Sequence, residues 1–251
     1  MVHESRNRRF FLRGEFSRQR SSDGGALGRS VGTHPDGWLY GPPGTNVAPG
    51  HPYTTRTLHM SIPSILETAH RLVGRAVSKG GLAIDATVGN GHDTLFLART
   101  VGAEGRVVGV DIQRAALKET RRRVEAEAPD VSLTLVHAGH ETMAEHLPPR
   151  DAGEVEAVMF NLGYLPGGDH SVTTKPETTC RALDASLNLL RPGGVVTVVA
   201  YPGHEGGRKE TQAVESWVST LPEDSYQAVT YQLTNQPNDP PRLYAVEKHP
   251  E

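Results

Sequence analysis

In Leu82-Ala-Ile-Asp-Ala-Thr-Val-Gly-Asn-Gly-His-Asp-Thr94 an apolar run closes on Asp85, passes through Gly89 and Gly91, and enters a segment with helical character. Glycines at these positions let the backbone turn sharply and approach a ligand, and a helix start offers unpaired N–H groups. Asp111 follows Gly89 by 22 positions at the end of a second apolar run, a spacing that suits a carboxylate gripping ribose hydroxyls. A dinucleotide loop needs a third glycine near position 94, where the chain has Thr94 and Leu95. Asp85, Asn90 and Asp93 suit a cationic or zwitterionic ligand, because carboxylates close to a phosphate repel it. The sulfonium and ammonium of S-adenosylmethionine match that requirement. A nucleotide phosphate site and an ordinary strand-to-helix turn are the alternatives.

A second constellation follows the apolar run Val155-Glu-Ala-Val-Met-Phe160. Asn161-Leu-Gly-Tyr-Leu-Pro-Gly-Gly168 places an amide, an aromatic ring and a chain-turning Gly/Pro set directly after it. This loop resembles the Asn-Pro-Pro-Tyr loop of amino-group methyltransferases, whose acceptors hold the hydrogens of the nitrogen that receives the methyl group. Acceptors aimed at those hydrogens orient the lone pair for in-line attack. An alkyl amine, with a pKa near about 10.4 for lysine, is mostly protonated at neutral pH, so such a site must also favour the neutral form; a nearby sulfonium helps. Asn161 as a turn cap and Tyr164 as a core residue is the alternative.

His140, after a third apolar run, falls where this architecture expects an adenine-contacting residue. His204, in Tyr201-Pro-Gly-His204, is a candidate base on the substrate side or a surface histidine at a helix start. His137, His140 and His146 lack compact metal-ligand spacing, so no metal is expected. Arg121-Arg-Arg123 could contact phosphate, but its glutamate neighbours favour a solvated helix face.

These positions need elements to hold them. Strand-like runs at 82–85, 106–110, 132–136, 155–160 and 194–200 alternate with helical patterns at 92–102, 113–127, 140–147, 176–190 and 207–220, after a first helix at 61–79. Alternation of this kind predicts a doubly wound α/β fold. Tyr226–Leu233 and Leu243–Glu247 are joined by a Pro/Asn loop too short for a helical crossover and should pair antiparallel. Five parallel strands and a terminal antiparallel hairpin give a seven-stranded, mostly parallel sheet of the Rossmann-like class I methyltransferase type.

The 251 residues are 36% hydrophobic, enough for a sizeable core, and carry a net charge of −3. That charge gives no global attraction to nucleic acid, so any RNA contact needs a local basic patch. No run reaches membrane-spanning length. The single cysteine, Cys180, excludes an internal disulfide framework and fits a reducing, cytoplasmic setting. Residues 1–57 differ from the rest: seven arginines occur in the first thirty positions, followed by Gly-, Pro- and His-rich sequence without apolar periodicity. Disorder is expected there, and Met60 is a candidate natural start. Residues 60–251 are expected to form the catalytic domain.

Taken together, several segments resemble one family, the bacterial S-adenosylmethionine-dependent tRNA methyltransferases that convert 5-aminomethyl-2-thiouridine to its methylaminomethyl form, formerly called rRNA methylases. The resemblance spans about residues 60–248. It rests on Asp85-Ala-Thr-Val-Gly-Asn-Gly-His-Asp-Thr-Leu-Phe-Leu-Ala98, Asp111-Ile-Gln113, Phe160–Gly168, Thr174-Lys-Pro176, Gly203-His204 and Asn235–Pro241. It implies methyl transfer to the exocyclic amine of a wobble uridine, with the tRNA anticodon loop as partner and no membrane. Methylation of another RNA site or of a small-molecule amine is the competing expectation. By that resemblance Asp85, Thr87, Gly89, Asn90, Gly91, Asp93, Asp111, Gln113 and His140 would hold the cofactor, and Asn161, Tyr164 and His204 would face the base. A homodimer would enlarge the RNA-binding surface of a chain this size.

Overall fold

In the computed structural model, residues 61–250 are described; they fall in the unit Met60–Glu251. The expectations for residues 1–57 and for a start at Met60 lie outside the described residues.

Helix α1 covers Ile65–Ala76, β1 Leu82–Asp85, α2 His92–Val101, β2 Arg106–Asp111, α3 Arg114–Glu127 and β3 Ser132–His137. β4 follows at Val155–Asn161, then α4 at Pro176–Leu189, β5 at Leu190–Ala200, α5 at Gly207–Ser219, β6 at Tyr226–Gln232 and β7 at Arg242–Lys248. The sheet order is β3-β2-β1-β4-β5-β7-β6. Strands β1 to β5 are parallel, and β7 runs antiparallel to β5 and β6 on either side of it. Chain order reverses between β1 and β4, so their carboxyl ends lie side by side at the crevice where ligands of open α/β sheets bind.

The strands read as continuous apolar runs because both sheet faces are covered. Ile84, Val158, Phe160 and Val198 pack toward Leu183 and Leu187 of α4. Ala83, Val107 and Ala157 pack on the opposite side with Val73 of α1 and Leu97 and Val101 of α2. Among the described residues, no helix is long and apolar enough to cross a membrane.

Three elements differ from the sequence expectation. The first helix begins at Ile65, not Ser61, because Pro63 disfavours helix at Ile62 and Ser64 forms a capping box: its hydroxyl accepts from Glu67 N at 3.2 Å, and its N–H donates to Glu67 Oε2 at 2.8 Å. The 140–147 segment is a short 3-10 helix, His140–His146, that ends against Pro148. Strand β5 begins at Leu190 rather than 194, but its register with β4 jumps from Val155↔Leu190 to Ala157↔Val195. Arg191–Gly194 therefore bulge out, as expected of a Pro-Gly-Gly sequence that cannot fill a central ladder.

Candidate active site

The loop between β1 and α2 is built around three carboxylates. Asp85, 1% exposed, accepts the Thr87 N–H on Oδ1 at 3.1 Å and the Thr94 hydroxyl on Oδ2 at 2.5 Å. Burial, then the charges of Asp93 and Asp111, push its pKa up to about 7, while the Thr94 and Thr87 hydrogen bonds pull it down. Asp111, closing β2, accepts from Gly89 N on Oδ2 at 2.8 Å and from Gln113 N on Oδ1 at 2.7 Å. An ionised carboxylate has about four acceptor positions, so lone pairs remain for a ligand's hydroxyls.

Gly91 adopts a left-handed φ of 77° as the residue before α2, and a Cβ there would stand 2.5 Å from Thr120 Oγ1. Glycine is required twice over, by backbone conformation and by the close approach of α3. No side chain caps α2. The carboxamide of Asn90 has no protein partner among the described residues. Asp93 is turned toward α1, where His70 Nε2 lies 2.6 Å from its Oδ1 and the His70 ring stacks on Phe96 at 4.0 Å. His140 is buried against the edge of Phe160, 5.8 Å between ring centroids, and burial lowers its pKa while Glu141 partly offsets the shift.

The second constellation lies next to this loop. Asn161 ends β4, and its N–H donates to Thr87 Oγ1 at 2.7 Å. Leu162 N donates to Val199 O of β5 at 2.9 Å, and Gly163 N donates to Thr174 Oγ1 at 2.8 Å. Three successive amides are thus pinned by three different segments. The Asn161 carboxamide stays free of protein partners among the described residues. Tyr164 stacks on His170 at 3.9 Å and meets His204 edge-on at 5.6 Å.

His204 sits close to Gly163 and Gly207; a Cβ on either would approach its Nε2, at 3.4 and 2.7 Å. Its Nδ1 lies 2.8 Å from the Glu205 carbonyl, which can only accept, so Nδ1 carries the hydrogen. The neutral ring then presents Nε2 as a lone pair, and this buried atom has no partner. The Asn235–Pro241 loop reaches the same corner, with Arg208 paired to Asp239. Among the described residues no cluster of three or more His, Cys, Asp or Glu is placed to hold a metal ion.

The structure ties Thr87 to Asp85 and, two residues on in the same loop, Gly89 together with Gln113 to Asp111; it ties Asn161 to Thr87 and brings Tyr164 beside His204. Three participants have no role assigned from the sequence, although Thr174 falls in the Thr174-Lys-Pro176 segment that carries the family resemblance. His70 makes a contact 23 residues away that no local pattern signals. Thr174, half-buried, holds Gly163. Glu210 stands on the buried stripe Gly207, Glu210, Thr211, Val214 of α5, and a carboxylate on an apolar helical stripe was the available signal.

The donor set fits an S-adenosyl cofactor. Three carboxylates line a glycine-containing turn, Asp93 among them facing His70, and Asp85 has its pKa raised by burial and then by the charges of Asp93 and Asp111, an environment that a sulfonium and ammonium would complement.

Comparison with known proteins points the same way. Residues 107–247 match the family described as "Putative rRNA methylase", and residues 51–158 match the protein-L-isoaspartate(D-aspartate) O-methyltransferase family. A chloroplastic tRNA (mnm(5)s(2)U34)-methyltransferase of Arabidopsis thaliana is 36% identical over 190 residues, 72% of this chain and 69% of that protein. Ribosomal RNA small subunit methyltransferase H of Koribacter versatilis is 31% identical over 93 residues, covering 35% of this chain but only 29% of that protein. Among solved structures, a "putative rRNA-methylase" of Clostridium thermocellum superposes with a TM-score of 0.71 at 40% identity, over 75% of this chain and 100% of that one. A Streptococcus mutans methyltransferase in complex with SAH gives 0.67 at 35% identity, over 74% of this chain and 99% of that one.

Proposed function

The chain belongs to the "Putative rRNA methylase" family of S-adenosylmethionine-dependent methyltransferases, and from that membership we propose that it methylates the exocyclic amine of 5-aminomethyl-2-thiouridine at the tRNA wobble position. The observation that carries this reading is the hydrogen bond from the Asn161 backbone N–H to the Thr87 hydroxyl, which fixes the main chain of Asn161 next to the carboxylate-lined cofactor loop and leaves its carboxamide free for a substrate. S-adenosylmethionine, when bound, supplies an electrophilic methyl group.

Each residue has a part in that reading. Asp85 and Asp93 place negative charge beside the cofactor's cationic groups, Asp111 accepts its ribose hydroxyls, and the Gly89-Asn90-Gly91 turn lets the backbone come close, with Thr87 bracing it. Gln113 and His140 flank the adenine side. The Asn161 carboxamide oxygen accepts a hydrogen from the substrate amine and so aims its lone pair. Tyr164 packs on the base. His204 Nε2, a lone pair held by the Nδ1 hydrogen bond, accepts a proton from the amine.

The partner is the tRNA anticodon loop, with the target nucleotide unstacked to reach the pocket. The catalytic domain is residues 60–251, acting in the cytoplasm as a homodimer. The test is mass spectrometry of nucleosides from undermodified tRNA incubated with this protein and S-adenosylmethionine. A gain of one methyl on 5-aminomethyl-2-thiouridine supports the reading. No gain with cofactor binding intact overturns it in favour of another RNA site or a small amine.

A further inference from the structure

One buried carboxylate outside the cofactor loop holds three segments of the acceptor side together. Glu210 is 2% exposed on the first turn of α5, the helix that starts just after His204. Its Oε1 accepts the Thr179 hydroxyl at 2.7 Å, and its Oε2 accepts the Thr174 hydroxyl at 2.7 Å. Thr174 Oγ1 in turn accepts from Gly163 N at 2.8 Å, and Thr174 N donates to Gly163 O at 3.1 Å. The chain is directional: a hydroxyl that gives its only hydrogen to the carboxylate must receive the Gly163 N–H on a lone pair.

No cation pairs with Glu210 among the described residues. Its charge is offset by two hydroxyls and by the amino-terminal turns of α4, which carries Thr179, and of α5. A buried carboxylate without a counter-ion is costly unless hydrogen-bonded, and any residue that only filled space could be apolar. What the carboxylate adds is acceptor strength at one end of a chain whose other end is Gly163, where φ is 120°. That backbone conformation sets the path between Asn161 and Tyr164. Bonds to an ionised acceptor are stronger than neutral ones, and each link polarises the next.

We propose that Glu210 is a positioning residue for methyl transfer, acting through Thr174 to fix the Asn161–Tyr164 loop. The proposal rests on the reading of that loop as the amine-binding side. Glu210→Gln keeps the shape, but only its amide oxygen can accept, so one hydroxyl loses its acceptor, and even where Thr174 keeps the oxygen it no longer donates to a carboxylate, which weakens the chain to Gly163. Thr174→Val cuts the same chain while leaving Glu210 itself and its bond to Thr179 in place, and covers the case in which the Glu210 variant fails to fold.

The experiment uses the full 251-residue chain, undermodified tRNA and S-adenosylmethionine, with SAH affinity and the Gly163 amide proton shift read in parallel. Glu210→Gln and Thr174→Val are expected to lower kcat about tenfold or more. KM for tRNA and SAH affinity should change by less than about twofold, and the Gly163 amide proton should move upfield as its bond is lost. Thr174→Ser, which keeps the hydroxyl, should recover most of the loss, and the double variant should be no worse than the worse single one. Wild-type turnover with unaltered kcat in both variants overturns this proposal alone. No wild-type turnover on that tRNA overturns the acceptor reading and, with it, the link to methyl transfer. An unmoved Gly163 amide in Thr174→Val overturns the chain itself.

Discussion

The Thr87 hydroxyl accepts the backbone N–H of Asn161 at 2.7 Å, across 74 residues of sequence, and so joins the loop after β1 to the loop after β4. The two loops are the cofactor side and the acceptor side of the proposed site, and the bond sets the offset between them. Thr87→Val removes the acceptor while keeping the shape. Such a bond contributes about 1 kcal/mol, so single-turnover methyl transfer should slow about fivefold to tenfold, with Thr87→Ser close to wild type. Equal rates for Val and Ser would show that the offset is fixed elsewhere.

Asp111 and Asn161 should separate binding from chemistry. Asp111→Ala leaves the Gly89 and Gln113 amides without their carboxylate and removes the acceptor proposed for the ribose hydroxyls. SAH affinity by calorimetry should fall about a hundredfold. Asn161→Ala removes a carboxamide that holds no protein contact, so SAH affinity should hold within about twofold while kcat falls about a hundredfold. Equal loss of SAH binding in both variants would contradict this division of roles.

Asp85 predicts a pH dependence with a definite sign. Its pKa is raised from 3.8 to about 7, first by burial and then by Asp93 and Asp111. The folded chain therefore holds a proton that the unfolded chain has released, and stability of the cofactor-free protein should decline as pH rises from about 4 to about 7. Cofactor affinity should run the opposite way, because a cationic ligand favours the ionised carboxylate. Titration of S-adenosylmethionine should show proton release near neutral pH and tighter binding up to about pH 7.5. Asp85→Asn should flatten both profiles, and a parallel pH slope in that variant would assign the effect to another group.

Much of this site was readable before folding because strand ends announce themselves. Asp85, Asp111 and Asn161 each close an apolar run, and a buried parallel strand can stop only where a polar group has a task or a partner. Side-chain partners across elements were not readable. His70 is one residue beyond Ala69 on the buried face of α1, so its meeting with Asp93 depends on the rotation of that helix against α2. Thr174 stood in a family-marking segment without a partner, and Glu210 was an ordinary polar residue, until α4 and α5 packed side by side. The 140–147 segment shows the limit on element type: its apolar spacing is helical, but seven residues stopped by Pro148-Pro149 settle into a 3-10 helix.

Gly91 offers the sharpest test of the cofactor turn. At φ 77° an alanine is strained, and its Cβ would lie 2.5 Å from Thr120 Oγ1 and 2.9 Å from Thr120 Cβ. Thr120 is fully buried on α3 and also donates to Gly89 O at 3.3 Å, so it has little room to retreat without loosening the turn. Left-handed strain costs about 1–2 kcal/mol and overpacking adds about 1–3, so Gly91→Ala should lose about 2–5 kcal/mol in urea unfolding. Thr120→Ala removes the colliding hydroxyl and methyl but leaves the 2.9 Å approach to the Thr120 Cβ and the backbone strain. Its combination with Gly91→Ala should therefore recover roughly half of the loss, appearing as a coupling energy in a double-mutant cycle. Additive effects of the two substitutions would mean that α3 does not press on the turn, and that conformation alone requires glycine there.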